Sequence, residues 1–125
     1  MKPLLIEATD YTPYVCFDKD KGIFEITGIS KPSNVFDFYN PILNWLEKYM
    51  EMPNDKTMLS IKLGYVNTAS AKIINYIIKK MEIAIKKGKE ARVLWHYSKH
   101  EPDVKEMGEN YSHMYIVPFD FKAYD

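Results

Sequence analysis

The sequence predicts a mixed α/β fold, a β-sheet of about five or six strands with helices packed on it. Two observations indicate this fold class. Early in the chain, two short alternating segments flank a tight turn, which predicts an antiparallel hairpin. In the second half, strand-like segments alternate with long segments of helical periodicity, which implies parallel crossovers. The length of 125 residues fits one domain, residues 1–125.

The first half of the chain begins with strands. Residues 4–9 form a short apolar run, and residues 14–27 alternate on both sides of a turn that ends at Gly22. Residues 28–34 are predicted to be a loop. A helix follows over residues 35–50, and Pro41 inside it predicts either a kink or a short turn before the main helix.

The second half continues with three strands and two helices. Strands are predicted at residues 57–66, 91–97 and 115–121, and helices at residues 68–87 and 102–110. The first of these strands has four residues of one face in alternation: Leu59, Ile61, Leu63 and Tyr65. Gly88 fits the position after a helix end, Gly108 weakens the last helix, and Pro118 places the last strand at a sheet edge.

Composition narrows the function classes. Lys plus Arg and Asp plus Glu both number 17, and this balance argues against a nucleic-acid binder, which usually has a basic excess. One cysteine allows no disulfide within the chain, which fits a reducing compartment. The start of the sequence lacks a signal-peptide pattern, and no run has the length of a membrane span. We therefore expect a cytoplasmic protein without a membrane or nucleic-acid partner.

Catalytic and metal-binding motifs are weak. His96 and His100 are four apart, but His96 lies at a predicted strand, so the spacing does not bring the two rings together; His113 stands alone. The sequence has no G-x-S-x-G motif, no Walker A motif and no G-x-G-x-x-G motif. We expect no metal, no cofactor and no catalytic residues, although a small enzyme with an unrecognised site stays an alternative.

The short segment Asn67-Thr68-Ala69-Ser70 stands where the long helix begins. Its polar side chains fit an ordinary N-cap, which contributes about 1 kcal/mol. A helix N-terminus also favours negative charge, so a phosphoryl group on a hydroxyl there would leave the helix intact and could still repel a docked partner. Residues alone leave both interpretations open, and Lys72, one turn further on, could pair with such a phosphate or stay solvated.

Several motifs, in order along nearly the whole chain, resemble those of the SiaC family of small bacterial regulatory phosphoproteins, which are similar in fold to STAS-domain anti-sigma-factor antagonists. The matching segments are Thr9-x-x-Thr12-Pro13-x-Val15-x-x-Asp18, Gly28-x-Ser30-x-Pro32-x-Asn34, Phe38-Tyr39-x-Pro41-Ile42-Leu43-x-Trp45-Leu46, Tyr65-x-Asn67-Thr68-x-Ser70-x-Lys72, Val93-x-Trp95-x-Tyr97, Glu106-x-Gly108-Glu109 and Pro118-Phe119.

The resemblance implies a STAS-like, non-enzymatic switch protein. It implies phosphorylation of Thr68 by a partner kinase, with Ser70 as second choice, and removal by a PP2C-type phosphatase. The unphosphorylated form is expected to bind an effector, such as a diguanylate cyclase, and so to control cyclic-di-GMP signalling and biofilm formation. An adaptor that is never phosphorylated is the other alternative. The predicted partner surface consists of Ser30, Lys31, Asn34, Asn67, Thr68, Ser70, Lys72, Trp95 and Tyr97.

The sequence departs from the family pattern around these positions. The family usually has N-T-S-S-S-K where this chain has Asn67-Thr68-Ala69-Ser70-Ala71-Lys72, which leaves Thr68 and Ser70 as the hydroxyls. The loop at residues 28–34 lacks two acidic residues of the usual pattern, and His96, Ser98 and Lys99 replace residues after Trp95. These changes affect the expected identity of the partner more than the expected fold.

Overall fold

Six strands and three helices make up the structure, a computed structural model that describes all 125 residues. In chain order they are β1 (Leu4–Ile6), β2 (Tyr14–Asp18), β3 (Ile23–Ser30), α1 (Val35–Tyr49), β4 (Lys56–Val66), α2 (Thr68–Lys86), β5 (Glu90–Ser98), α3 (Pro102–Met114) and β6 (Phe119–Tyr124). The strands form one sheet in chain order, antiparallel from β1 to β3 and parallel from β3 to β6. The predicted mixed α/β class is confirmed.

All three helices cover the same face of this sheet. Because β3 to β6 are parallel and follow one another across the sheet, every right-handed crossover passes over the same side. The strand residues of that side are fully or almost fully buried: Val15, Phe17, Phe24, Ile26, Leu59, Ile61, Leu63, Val93 and Trp95. Under the helices these side chains form the core, and the opposite face of the sheet, called here the helix-free face, carries no helix.

The predicted loop at residues 28–34 begins later than the sequence indicated. β3 continues to Ser30, and its pairing with β4 shifts by one residue between Gly28, opposite Leu63, and Ile29, opposite Tyr65. The shift takes Tyr65 out of the core, where alternation had placed it, and leaves its side chain 52% exposed. A β-bulge of this kind turns a strand end without an obvious signal in the periodicity.

The first long helix runs without interruption from Val35 to Tyr49 with Pro41 inside it. The side chain of Asn34 caps the helix by accepting from the backbone N–H groups of Phe36 and Asp37, both at 3.2 Å. Pro41 and Asp37, whose carbonyl loses its usual donor, are both on the exposed side. Water can therefore satisfy that carbonyl, and the predicted separate turn before the main helix does not form.

The last helix is longer than predicted because Gly108 is a packing position and not a weak point. α3 extends to Met114, and Gly108 is buried against the indole ring of Trp95. The extension displaces the start of β6 to Phe119, directly after Pro118. As predicted, this strand lies at an edge of the sheet, and the first strand, at the other edge, stops at Ile6 and not at residue 9.

Candidate functional site

Most of the candidate residues predicted from the sequence lie at the edge of the sheet where the parallel strands reach their carboxyl ends. This edge runs across the strands and is distinct from the outer strands β1 and β6. α1, α2 and α3 begin just after β3, β4 and β5, with Asn34, Asn67 and Glu101 at their N-cap positions. Because the carboxyl ends of parallel strands meet at one edge, the three helix N-termini lie along it. Loops at such an edge are common positions for binding residues. The start of α2, with Thr68, lies in the middle of the three.

Asn67, and not Thr68, caps the second helix. The Asn67 side-chain oxygen accepts from the backbone N–H of Ser70 at 2.8 Å. The backbone N–H of Asn67 donates to the carbonyl of Ser30 at 2.9 Å. These two bonds fix the first turn of α2 to the end of β3. Thr68, the first residue of α2, is exposed, so its hydroxyl is free to react without loss of the cap.

A buried line of three hydroxyl groups lies beneath this turn. The Ser30 hydroxyl donates to Ser70 Oγ at 2.8 Å and lies 2.6 Å from the hydroxyl of Tyr39 on α1. All three residues have no exposed surface. Burial raises the pKa of Tyr39, while the nearby hydroxyl groups of Ser30 and Ser70 act in the opposite sense. These hydrogen-bonded hydroxyl groups connect β3, α1 and α2 beneath the first turn of α2, which begins at Thr68.

Burial corrects two of the predicted roles. Ser30 cannot contact a partner directly, and Ser70, the second choice for phosphorylation, has its hydroxyl inside the core. Neither position was distinguishable from an exposed serine in the sequence, because the bulge and the contact between segments 40 residues apart decide their burial. Tyr39 was missed as a member of the site, although a tyrosine on an apolar helix stripe usually has a buried hydrogen-bond partner.

Tyr39→Phe should lower the free energy of unfolding by about 1–2 kcal/mol, because it removes one buried hydrogen bond and leaves the rest of the line in place. Urea unfolding of the wild-type and variant proteins measures the difference. Tyr115→Phe is the matched control, since the Tyr115 hydroxyl lies 2.6 Å from Asn75 Oδ1 in a half-buried position where water can replace it. Equal effects of the two changes would contradict a special contribution of the buried line.

The first turn of α2, which begins at Thr68, contains no acidic residue. Lys72 is exposed, one turn beyond Thr68, and forms no salt bridge. Lys31, just after β3, places its ammonium group 5.5 Å from the ring centre of Tyr11 and 5.9 Å from that of Tyr65. Together with the helix dipole, Lys72 favours negative charge at the start of α2.

Trp95 was predicted to contact a partner, and this prediction is wrong. The indole is fully buried, donates from Nε1 to the carbonyl of Val104 at 2.9 Å, and packs edge-on against Tyr111. Tyr97, two residues further along β5, is half-buried with the ammonium group of Lys105 5.6 Å from its ring centre. Of the two aromatic residues, only Tyr97 keeps accessible surface.

The structure offers little for other chemistry. No group of three His, Cys, Asp or Glu side chains is placed to hold a metal ion. A depression between α2 and α3 is lined by carboxylates, an amide, a methionine and a tyrosine, with no serine or cysteine nucleophile next to a histidine. None of the three helices combines the length and the apolarity needed to cross a lipid bilayer.

Comparison with known proteins gives one consistent result. The sequence model of the SiaC family of regulatory phosphoproteins matches residues 6–124. SiaC of Pseudomonas aeruginosa is 27% identical, with a TM-score of 0.89 over 99% of this chain and 100% of that one. The structure of the diguanylate cyclase SiaD in complex with its activator SiaC, from the same organism, matches with 27% identity and a TM-score of 0.88 over 97% and 99% of the two chains. An uncharacterized protein of Pseudomonas aeruginosa strain UCBPP-PA14 is 28% identical over 100% of this chain and 99% of its own length.

Proposed function

Because the chain belongs to the SiaC family of regulatory phosphoproteins, we propose that it is a non-enzymatic signalling switch that is phosphorylated reversibly on Thr68. The observation that carries the proposal is the contrast at the start of α2. Thr68 is exposed and its hydroxyl is not needed for the cap, whereas Ser70 is fully buried. A kinase can therefore reach one hydroxyl of the segment and not the other.

A phosphate at this position changes the surface and preserves the fold. It adds about −1.5 to −2 charges at neutral pH and three strong acceptor oxygens. The free N–H groups at the start of α2 and the ammonium group of Lys72 stabilise that charge within the domain. A partner docked over Thr68 would instead meet a strongly hydrated dianion, so phosphorylation releases the partner without unfolding the helix.

The proposed cycle needs three protein partners in the cytoplasm. A kinase transfers a phosphoryl group from ATP to Thr68 Oγ1, and a PP2C-type phosphatase hydrolyses the ester. The unphosphorylated form binds and regulates an effector, which we propose to be a diguanylate cyclase, because the similar SiaC of Pseudomonas aeruginosa is the activator of the cyclase SiaD. Such an effector links the switch to cyclic-di-GMP levels and to biofilm formation.

The proposed partner surface is smaller than the one predicted from sequence. Lys31, Thr68, Lys72 and Tyr97 keep accessible side chains at the edge where the helices begin. The exposed Asn34 and the half-buried Asn67 contribute mainly as caps, because their side-chain oxygens are bonded to backbone N–H groups.

Peptide mass spectrometry on the protein purified from its native host tests this proposal. We expect a phosphoryl group on the peptide that contains Thr68, and its loss after treatment with a PP2C-type phosphatase. Ser70 on the same peptide is an internal control, because its burial predicts that it stays unmodified. Absence of the phosphate under all growth conditions would leave the unphosphorylated adaptor as the better description.

A further inference from the structure

The helix-free face carries a row of three basic side chains on neighbouring strands. Lys62 of β4 is in register with His96 of β5, and His96 is in register with Lys122 of β6. Lys62 and His96 alternate with the core residues Ile61 and Trp95, so they lie on the side away from the helices. Lys122 lies on the same side because it is in register with His96. Since adjacent strands are about 5 Å apart, the three Cα atoms span about 10 Å. We call these residues the basic row.

No carboxylate neutralises the basic row. Neither Lys62 nor Lys122 takes part in any of the salt bridges, and His96 Nε2 lies 3.1 Å from the hydroxyl of Ser60. A protonated His96 between the two lysines would place like charges on neighbouring strands, which is unfavourable. Burial, followed by the charges of Lys62 and Lys122, lowers the pKa of His96. The fold therefore keeps an arrangement that would gain free energy from a bound negative charge.

Aromatic surface borders the basic row on the same face. The Lys62 ammonium group lies 4.7 Å from the ring centre of Tyr124, which is in register with Ser98 on the next strand. Tyr65 is 52% exposed where the bulge turns it out of the core. Tyrosine is enriched in protein interfaces, because one side chain supplies both apolar area and a hydroxyl. The helix-free face thus combines charge with apolar contact area.

We infer that the basic row and the bordering tyrosines form a docking surface for an acidic segment of a protein partner. Carboxylates spaced about 5 Å apart would each meet one strand of the row. This inference does not rest on the phosphorylation of Thr68, because the helix-free face is opposite the helical layer and its charges come from different residues.

The distribution of charge favours a protein over other polyanions. Glu25 of β3 is in register with Ser60, which lies two residues before Lys62 on β4. Asp120 lies two residues before Lys122 on β6 and forms a bidentate pair with Arg92. A nucleic acid or an anionic membrane, with continuous negative charge, would meet these carboxylates as well as the lysines. A protein segment can present carboxylates opposite the row and neutral groups opposite Glu25 and Asp120.

Site-specific photocrosslinking in the native host tests the docking surface. Tyr124→p-benzoylphenylalanine keeps an aromatic group beside Lys62, and mass spectrometry identifies the crosslinked peptide. We expect a peptide of another protein with several Asp or Glu residues close together. Adding Lys62→Gln and Lys122→Gln should lower the yield by about tenfold, while the control pair Lys79→Gln and Lys80→Gln on α2 should change it by less than about twofold.

Binding to the isolated protein gives the second measurement. A synthetic copy of the captured peptide should raise the pKa of His96, followed by NMR, because nearby carboxylates favour the imidazolium form. Four results would each overturn the proposal. Two concern the crosslink itself: its absence, or its formation with nucleic acid, lipid or a second copy of this chain. The other two are a crosslinking yield that does not change with the lysine substitutions and a His96 pKa that does not change with the peptide. These outcomes are independent of the Thr68 phosphopeptide, so either proposal can fail alone.

Discussion

Gly108→Ala should destabilise the protein by about 2–3 kcal/mol, although alanine is the better helix former by about 1 kcal/mol. A Cβ atom on Gly108 would lie 2.5 Å from Cδ1 and Nε1 of Trp95 and 2.7 Å from Cε2. The indole cannot yield easily, because it is fully buried and bonded through Nε1 to the carbonyl of Val104. We therefore expect α3 to move away from the sheet, with loss of the contacts between Trp95 and Tyr111.

Urea unfolding measures this effect, and the chain offers a matched control. Gly64 of β4 has no positive φ, and a Cβ atom added there would meet nothing within 4 Å. Gly64→Ala should accordingly be neutral or stabilise slightly, because it lowers the conformational entropy of the unfolded chain. An unchanged unfolding midpoint for Gly108→Ala would mean that α3 does not need its close approach to the indole.

The sequence determined the order and the type of the elements because their patterns are strong and local. The apolar stripe of α2 predicted residues 68–87, and the helix spans Thr68–Lys86 with Gly88 at a φ of +81° after its end. The alternation on both sides of Gly22 predicted the hairpin, which the register of β2 and β3 confirms. Each of these signals depends on neighbours within about a dozen residues.

The burial of the candidate residues depended on distant contacts and was predicted less well. Ser30 is buried by Ser70 and Tyr39, and Trp95 is buried by Gly108 of a helix whose length the sequence underestimated. Ser30 stands at the end of β3, where a polar side chain fits a loop as well as a core, whereas Trp95 lies inside β5, three residues before its end at Ser98. By contrast, Thr68 and Lys72 lie on the exposed side of α2, and the helical periodicity of that segment fixes which side faces the core.

If Thr68 works as proposed, Thr68→Glu should weaken binding of the proposed effector, a diguanylate cyclase, by about tenfold to a hundredfold, or about 1.4–2.7 kcal/mol. The carboxylate places a negative charge at the start of α2 inside the proposed partner surface, where a docked partner would have to remove its water. Titration calorimetry with the purified cyclase from the same host measures the change.

Thr68→Gln separates the charge of this substitution from its size. The amide has nearly the shape of the carboxylate and no charge, so a loss of affinity for Thr68→Glu alone identifies electrostatics as the cause.

Lys72 allows a second test of whether the charge at position 68 is the cause. As the nearest cation on α2 it offsets part of the new charge, so in a Lys72→Gln background the penalty of Thr68→Glu relative to Thr68→Gln should grow. Equal affinities of the glutamate and glutamine variants in both backgrounds would show that a charge at Thr68 does not control the partner, and the protein would then act as a constitutive adaptor.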